Sequence, residues 1–137
     1  LNIARDTIYL YIQYLEKAGL ITLVRKSGQG VKSVRKPQKI YLDNSVLLSV
    51  LSDLSEMDSF AGTRRETFFA NQLSAVAKIA IPPRGDFVVN NSFTFEVGGK
   101  NKNRDQLQHA DNNYWALDGI EIGHRTTIPL YLFGFLY

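Results

Sequence analysis

GDFVVNNSFTFEVGGK, residues 85–100, is the stretch on which the reading turns. Two apolar runs flank a polar Asn-Asn-Ser turn, which predicts a β-hairpin with strands near 86–90 and 93–97. Asp86 opens the first strand and Glu96 lies near the end of the second. With the loop centre near Asn91 they fall roughly opposite each other, and opposite residues of an antiparallel pair share a face. Two carboxylates a few ångströms apart repel unless positive charge sits between them. Mg²⁺ is a natural occupant, since it takes a few carboxylates plus waters. Glu66, in the helix before the hairpin, supplies a third oxygen ligand, and Lys100 follows the second strand. A lysine there would stabilise charge developing on a phosphate, with metal-bound water as nucleophile. The plainer reading is that carboxylates at strand ends face solvent.

Working outward, TRRETFFANQLSAVAKI (63–79) reads as a helix with Phe69, Leu73, Val76 and Ala80 as its buried stripe, stopped by Pro82-Pro83. VLLSVLSDL (46–54) reads as a short amphipathic helix, and YWALDGIEI as strand-like, with Trp115 in the core. Residues 104–111 are expected to form a helical turn. The terminal IPLYLFGFLY has the length of a strand or a helix, and Pro129 at a first turn favours helix. At the other end, LNIARDTIYLYIQYLEKAGL predicts a helix with Ile8, Ile12 and Leu15 on one inward face and Gly19 as its stop. LITLVRK and KIYLDN are short strands joined by the basic, glycine-containing loop SGQGVKSVRKPQ. Helix, strand, basic loop and strand form the second half of a winged helix-turn-helix.

The totals bound these readings. The chain has 137 residues, 45% hydrophobic and 21% charged, with net charge +3, as in a globular protein of one domain or two very small ones. Residues 1–45 hold eight basic and three acidic side chains, and the rest eight and ten, so the basic charge sits in the first third. The absence of cysteine excludes disulfides and thiolate metal sites and suits a reducing, cytoplasmic setting. No signal peptide is evident, and the longest apolar run is too short to span a bilayer. His109 and His124 have no partner at metal-ligand spacing. No nucleophilic triad can be assembled. The chain opens at Leu1 inside a running motif, which predicts an N-terminal partner domain beyond it.

In a winged helix the start of the recognition helix meets the major groove and the wing meets phosphate. Arg5, Thr7 and Tyr9 are the candidates near the helix start, and Lys26, Lys32, Arg35 and Lys36 lie in or beside the wing. The competing reading is a protein-facing surface, which Tyr9, Tyr11 and Tyr14 favour because tyrosines are enriched at interfaces.

The stretches TIYLYIQYLEKAGLI, RKPQKIYLDN, TRRETFFANQL, GDFVV and FEVGGK, in this order and spacing, resemble the C-terminal region of a large group of prokaryotic P-loop ATPases of the AAA+ superfamily. In that group an ATPase domain is followed by a winged helix and a closing domain of uncharacterised function similar to the PD-(D/E)XK restriction-endonuclease fold. The resemblance implies an α/β (α+β) chain. A truncated winged helix would span residues 1–47 and a small mixed-sheet, nuclease-like domain residues 48–137. It matches Glu66 to the first-helix acid, Asp86 to the strand acid and Glu96 to the acid of the E-x-K signature. The signature lysine belongs two residues on, where this chain has Gly98. Lys100 and Lys102 come later, and of these Lys100 keeps the strand parity.

The leading expectation is therefore a non-catalytic accessory region that binds DNA or protein and reports to an N-terminal ATPase. The alternatives are a Mg²⁺-dependent nuclease using Glu66, Asp86, Glu96 and Lys100, and a dimerisation module. There is no P-loop motif here, so ATP would bind only in the ATPase domain.

Overall fold

The computed structural model describes residues 3–28, 37–54, 60–102 and 112–137. It is a mixed α+β structure with two sheets. Helix α1 (Arg5–Lys17) leads into strand β1 (Ile21–Val24), which pairs antiparallel with β2 (Lys39–Leu42). Helices α2 (Ser45–Leu54) and α3 (Ala61–Ser74) follow. A five-stranded sheet then runs β3 (Ile79–Ala80), β4 (Phe87–Val89), β5 (Phe93–Gly99), β6 (Asn113–Asp118) and β7 (Thr127–Pro129), its spatial order equal to its chain order. The first three strands are antiparallel, and β5, β6 and β7 are parallel.

The hairpin forms where alternation and turn chemistry place it. Asn90 and Asn91 adopt positive φ, 51° and 55°. Asparagine tolerates this better than other residues with a Cβ, so the polar turn can reverse the chain between Val89 and Phe93, which are paired. On one face of the sheet Phe87, Val89, Phe95 and Val97 point at α3. Phe69 of α3 is completely enclosed, its ring 5.0 Å from Phe87, 5.1 Å from Phe95 and 4.8 Å from Phe133. The opposite face carries Glu96, Gly98, Trp115 and Leu117, register partners across β5 and β6.

The two ends of the chain share one core. Val24 of β1 and Tyr41 of β2 are buried in the same cluster as Phe69, Phe87 and Phe133. Helix α2 runs through the boundary expected at residue 47.

Three local expectations are corrected. The helix predicted over 63–79 ends at Ser74, with Ala75 as its cap, so Val76 is half exposed and Ile79-Ala80 form β3. No glycine or proline marks that stop; the amides of Val76 and Ala77 both donate to the Leu73 carbonyl. The apolar face of α1 is not inward: no residue of α1 is buried, and Ile8 and Leu15 are 46% and 42% exposed. Its main packing among the described residues is against β1. The terminal segment is strand and helix in turn: Pro129 ends β7, and Leu130–Phe135 form a 3₁₀-helix. Leu130 and Phe133 are its buried residues, the i, i+3 spacing that a three-residue turn superposes. The helical turn expected at 104–111 lies outside the described residues.

The core assignment predicts that Phe69→Ala costs about 3–5 kcal/mol in urea denaturation, whereas Val76→Ala stays within about 0.5 kcal/mol. Equal effects would mean that the α3 stripe is wrongly assigned.

Candidate active site

The β4–β5 register pairs Phe87 with Phe95, and one step further brings Asp86 beside Glu96. Asp86 closes the ladder there. Its amide donates to the Phe95 carbonyl at 2.9 Å, and its Oδ2 accepts the Val97 amide at 2.8 Å. This fixes the carboxylate against the strand that carries Glu96. Glu96 is 4% exposed, a charge-bearing side chain on the face shared with Trp115 and Leu117. Such burial is tolerated only with a charged partner.

That partner is Lys102. Its Nζ lies 2.7 Å from Glu96 Oε1, 3.1 Å from Asp86 Oδ2 and 2.6 Å from the Val97 carbonyl oxygen. Burial alone would lower the pKa of this ammonium. The hydrogen bonds to Glu96 and Asp86 and the charges of both outweigh that and raise it. Lys102 therefore stays protonated at neutral pH and serves as a positive charge, not as a base.

Gly98 is what lets Lys102 in. A Cβ built on Gly98 would fall 2.2 Å from Lys102 Cδ, so the lysine stem occupies the volume a side chain at 98 would need. The strand ends at Gly99, and the Lys102 amide turns back onto the Gly99 carbonyl at 2.9 Å. The parity argument that favoured Lys100 fails because it assumed a continuing strand. Lys100 instead lies along Gly119, its Cδ 3.8 Å from a Cβ built there.

Glu66 is brought to the same region but is turned to a different set of donors. Lys39 Nζ bonds its Oε2 at 2.8 Å, and the Tyr41 hydroxyl donates to the same oxygen at 2.6 Å. Lys39 and Tyr41 alternate on β2 and so share a face. Lys39 also reaches toward Asp86 Oδ1, at 3.8 Å, and links the carboxylate of α3 to that of the hairpin. Burial, then the bond to Glu66, then the charges of Glu66 and Asp86 push the Tyr41 phenol far up, so it remains a donor. Three carboxylates and two ammonium groups thus form one chain of contacts, Lys39 and Lys102 on either side of Asp86. Among the described residues no three acidic or histidine side chains form a group that could hold a metal ion.

The donors that do converge are Asp86 Oδ2, Glu96 Oε1 and the Val97 carbonyl, all directed at the one Lys102 ammonium. Two carboxylates and a carbonyl are hard oxygen donors of the kind Mg²⁺ accepts, with water completing its shell. Such an ion would take the place that the Lys102 ammonium fills.

The other candidates from the sequence lie elsewhere. Arg5 stacks over the Tyr9 ring at 5.7 Å on the exposed start of α1, with Thr7 in the first turn. Lys26 forms a parallel bridge to Ile81. Lys32, Arg35 and Lys36 lie outside the described residues. Lys39 and Tyr41 were not singled out from sequence, and Lys102 was named only as one of two lysines that follow Gly98. The signal for Lys102 was present in a glycine at the lysine position followed by two later lysines. No local signal ties β2 to Glu66.

No family model, no curated protein and no solved structure matches the chain.

Removing the ammonium should expose the carboxylate pair to its own repulsion. Lys102→Ala is expected to cost about 3 kcal/mol or more, and Glu96→Gln in the same chain should recover part of it. Gly98→Ala should destabilise the wild type by displacing Lys102 and have a smaller effect in the Lys102→Ala background. Additive costs in denaturation would show that Lys102 does not depend on Gly98.

Proposed function

We propose that this chain carries a metal-dependent phosphodiester-cleaving site of the PD-(D/E)XK type, in a region that also contacts DNA through a partial winged helix. The observation that carries the reading is the Lys102 ammonium lying over Gly98 and meeting Asp86 and Glu96 together. An acid–acid–lysine set is thereby complete in space although the E-x-K spacing is broken in sequence. The α1–β1–β2 unit supports the winged-helix part, and the mixed sheet with α3 on one face supports the nuclease-like part.

Asp86, Glu96 and the Val97 carbonyl would hold the metal. Bound there, a divalent ion polarises phosphoryl oxygen and lowers the pKa of water. Were those donors taken by such an ion, the Lys102 ammonium would be free to meet the charge that develops on the phosphate. Glu66 keeps Oε1 clear of hydrogen bonds among the described residues while Oε2 is saturated, so it can accept a proton from, and orient, a water molecule. By the resemblance, an N-terminal ATPase would use this region as its DNA-contacting end.

A second reading is favoured by one observation: Lys102 already sits where the cation donors converge. In that case the cluster is neutralised internally, and the region is a non-catalytic accessory that binds DNA or protein.

Cleavage of single- and double-stranded DNA, with Mg²⁺ or Mn²⁺ and with neither, separates the two. The proposal predicts metal-dependent products, loss of cutting in Asp86→Ala, and a fall of about a hundredfold or more in Lys102→Ala. Salt-sensitive DNA binding with no cleavage under any metal would support the accessory reading instead.

A further inference from the structure

We infer that Tyr41, a residue of the β1–β2 hairpin, is a positioning residue for Glu66 and sets the metal affinity of the carboxylate cluster from outside the sheet that carries it. The inference rests on the phosphodiesterase reading and concerns a residue that reading does not use.

The geometry is specific. Tyr41 is 5% exposed, its ring tilted against Phe87 with centroids 5.8 Å apart, so its hydroxyl has little freedom. That hydroxyl donates to Glu66 Oε2 at 2.6 Å, and Lys39 occupies the same oxygen at 2.8 Å. Both donors therefore fix one oxygen of Glu66 and leave the other free of hydrogen bonds among the described residues. A carboxylate held in this way has one oxygen left for the water shell of a cation beside Asp86, to which Lys39 links it through Asp86 Oδ1 at 3.8 Å. Groups that orient metal-site carboxylates typically alter metal affinity 10–100-fold when removed. The donor comes from a strand that precedes Glu66 by 25 positions and belongs to the other sheet. Any rearrangement of the β1–β2 hairpin would thus be felt at the metal. Val24, on the neighbouring strand, is buried in the core with Tyr41 and holds that hairpin in register.

Tyr41→Phe keeps the ring and its contact with Phe87 and removes only the hydroxyl. Calorimetric titration of Mn²⁺ into the 137-residue chain would compare the wild type with Tyr41→Phe, Glu66→Gln and the double variant. The inference predicts Mn²⁺ binding about tenfold weaker in Tyr41→Phe, and a double variant no weaker than Glu66→Gln alone. A lowered melting temperature with unchanged Mn²⁺ affinity would reduce Tyr41 to a structural role and overturn the inference. Asp86→Ala is the control for the underlying reading. If it abolishes binding while Tyr41→Phe has no effect, the positioning role fails and the site stands. If the wild-type chain takes up no Mn²⁺, both fail.

Discussion

Two carboxylates set side by side on an antiparallel hairpin are the constraint that organises this molecule. Asp86 cannot leave, because its side chain and amide complete the β4–β5 ladder through Val97 and Phe95. Glu96 cannot leave either, because its strand position is fixed between Phe95 and Val97, both packed on α3. Removing charge repulsion by solvation is closed to a side chain as buried as Glu96. Positive charge has to come to the pair, and the chain supplies it from two directions. Lys102 folds back from the strand end over Gly98, and Lys39 reaches across from the other sheet.

That requirement explains features that otherwise look unrelated. Gly98 is small because the lysine stem lies over it. The glycine-rich end of β5 is where the chain must leave the strand and turn so that Lys102 can return. The β1–β2 hairpin is tied to the rest of the fold by Val24 and Tyr41 in the shared core, by Lys39 and Tyr41 at Glu66 of α3, and by the Lys26–Ile81 bridge beside β3. A break in one of these ties is therefore expected to be felt in the others.

Much of this was legible in the sequence, for a physical reason. Alternation and turn chemistry are local, so the hairpin, its Asn-Asn turn and the opposition of Asp86 and Glu96 follow from residues 85–100 alone. The stripe of Phe69 and Leu73 follows from helical period. The reading failed where a long-range contact or an unmarked stop decides the outcome. Lys100 was favoured because parity holds only while a strand continues, and this strand ends at Gly99. Val76 was placed in the core because nothing in the sequence marks the end of α3 at Ser74. Tyr41 and Lys39 meet Glu66 across 25 and 27 positions, beyond the reach of any periodicity. The amphipathic pattern of α1 says that a face wants cover; it does not say which element covers it.

In the proposed site, Asp86, Glu96 and the Val97 carbonyl hold a cation and Lys102 withdraws to admit it. The most direct test is a crystal of this chain soaked in Mn²⁺, with an anomalous difference map at the manganese edge. The expected result is a peak bounded by the Asp86 and Glu96 carboxylates and the Val97 carbonyl, with the Lys102 ammonium displaced toward solvent. No peak at that position, with Lys102 still bridging the two carboxylates, would contradict it.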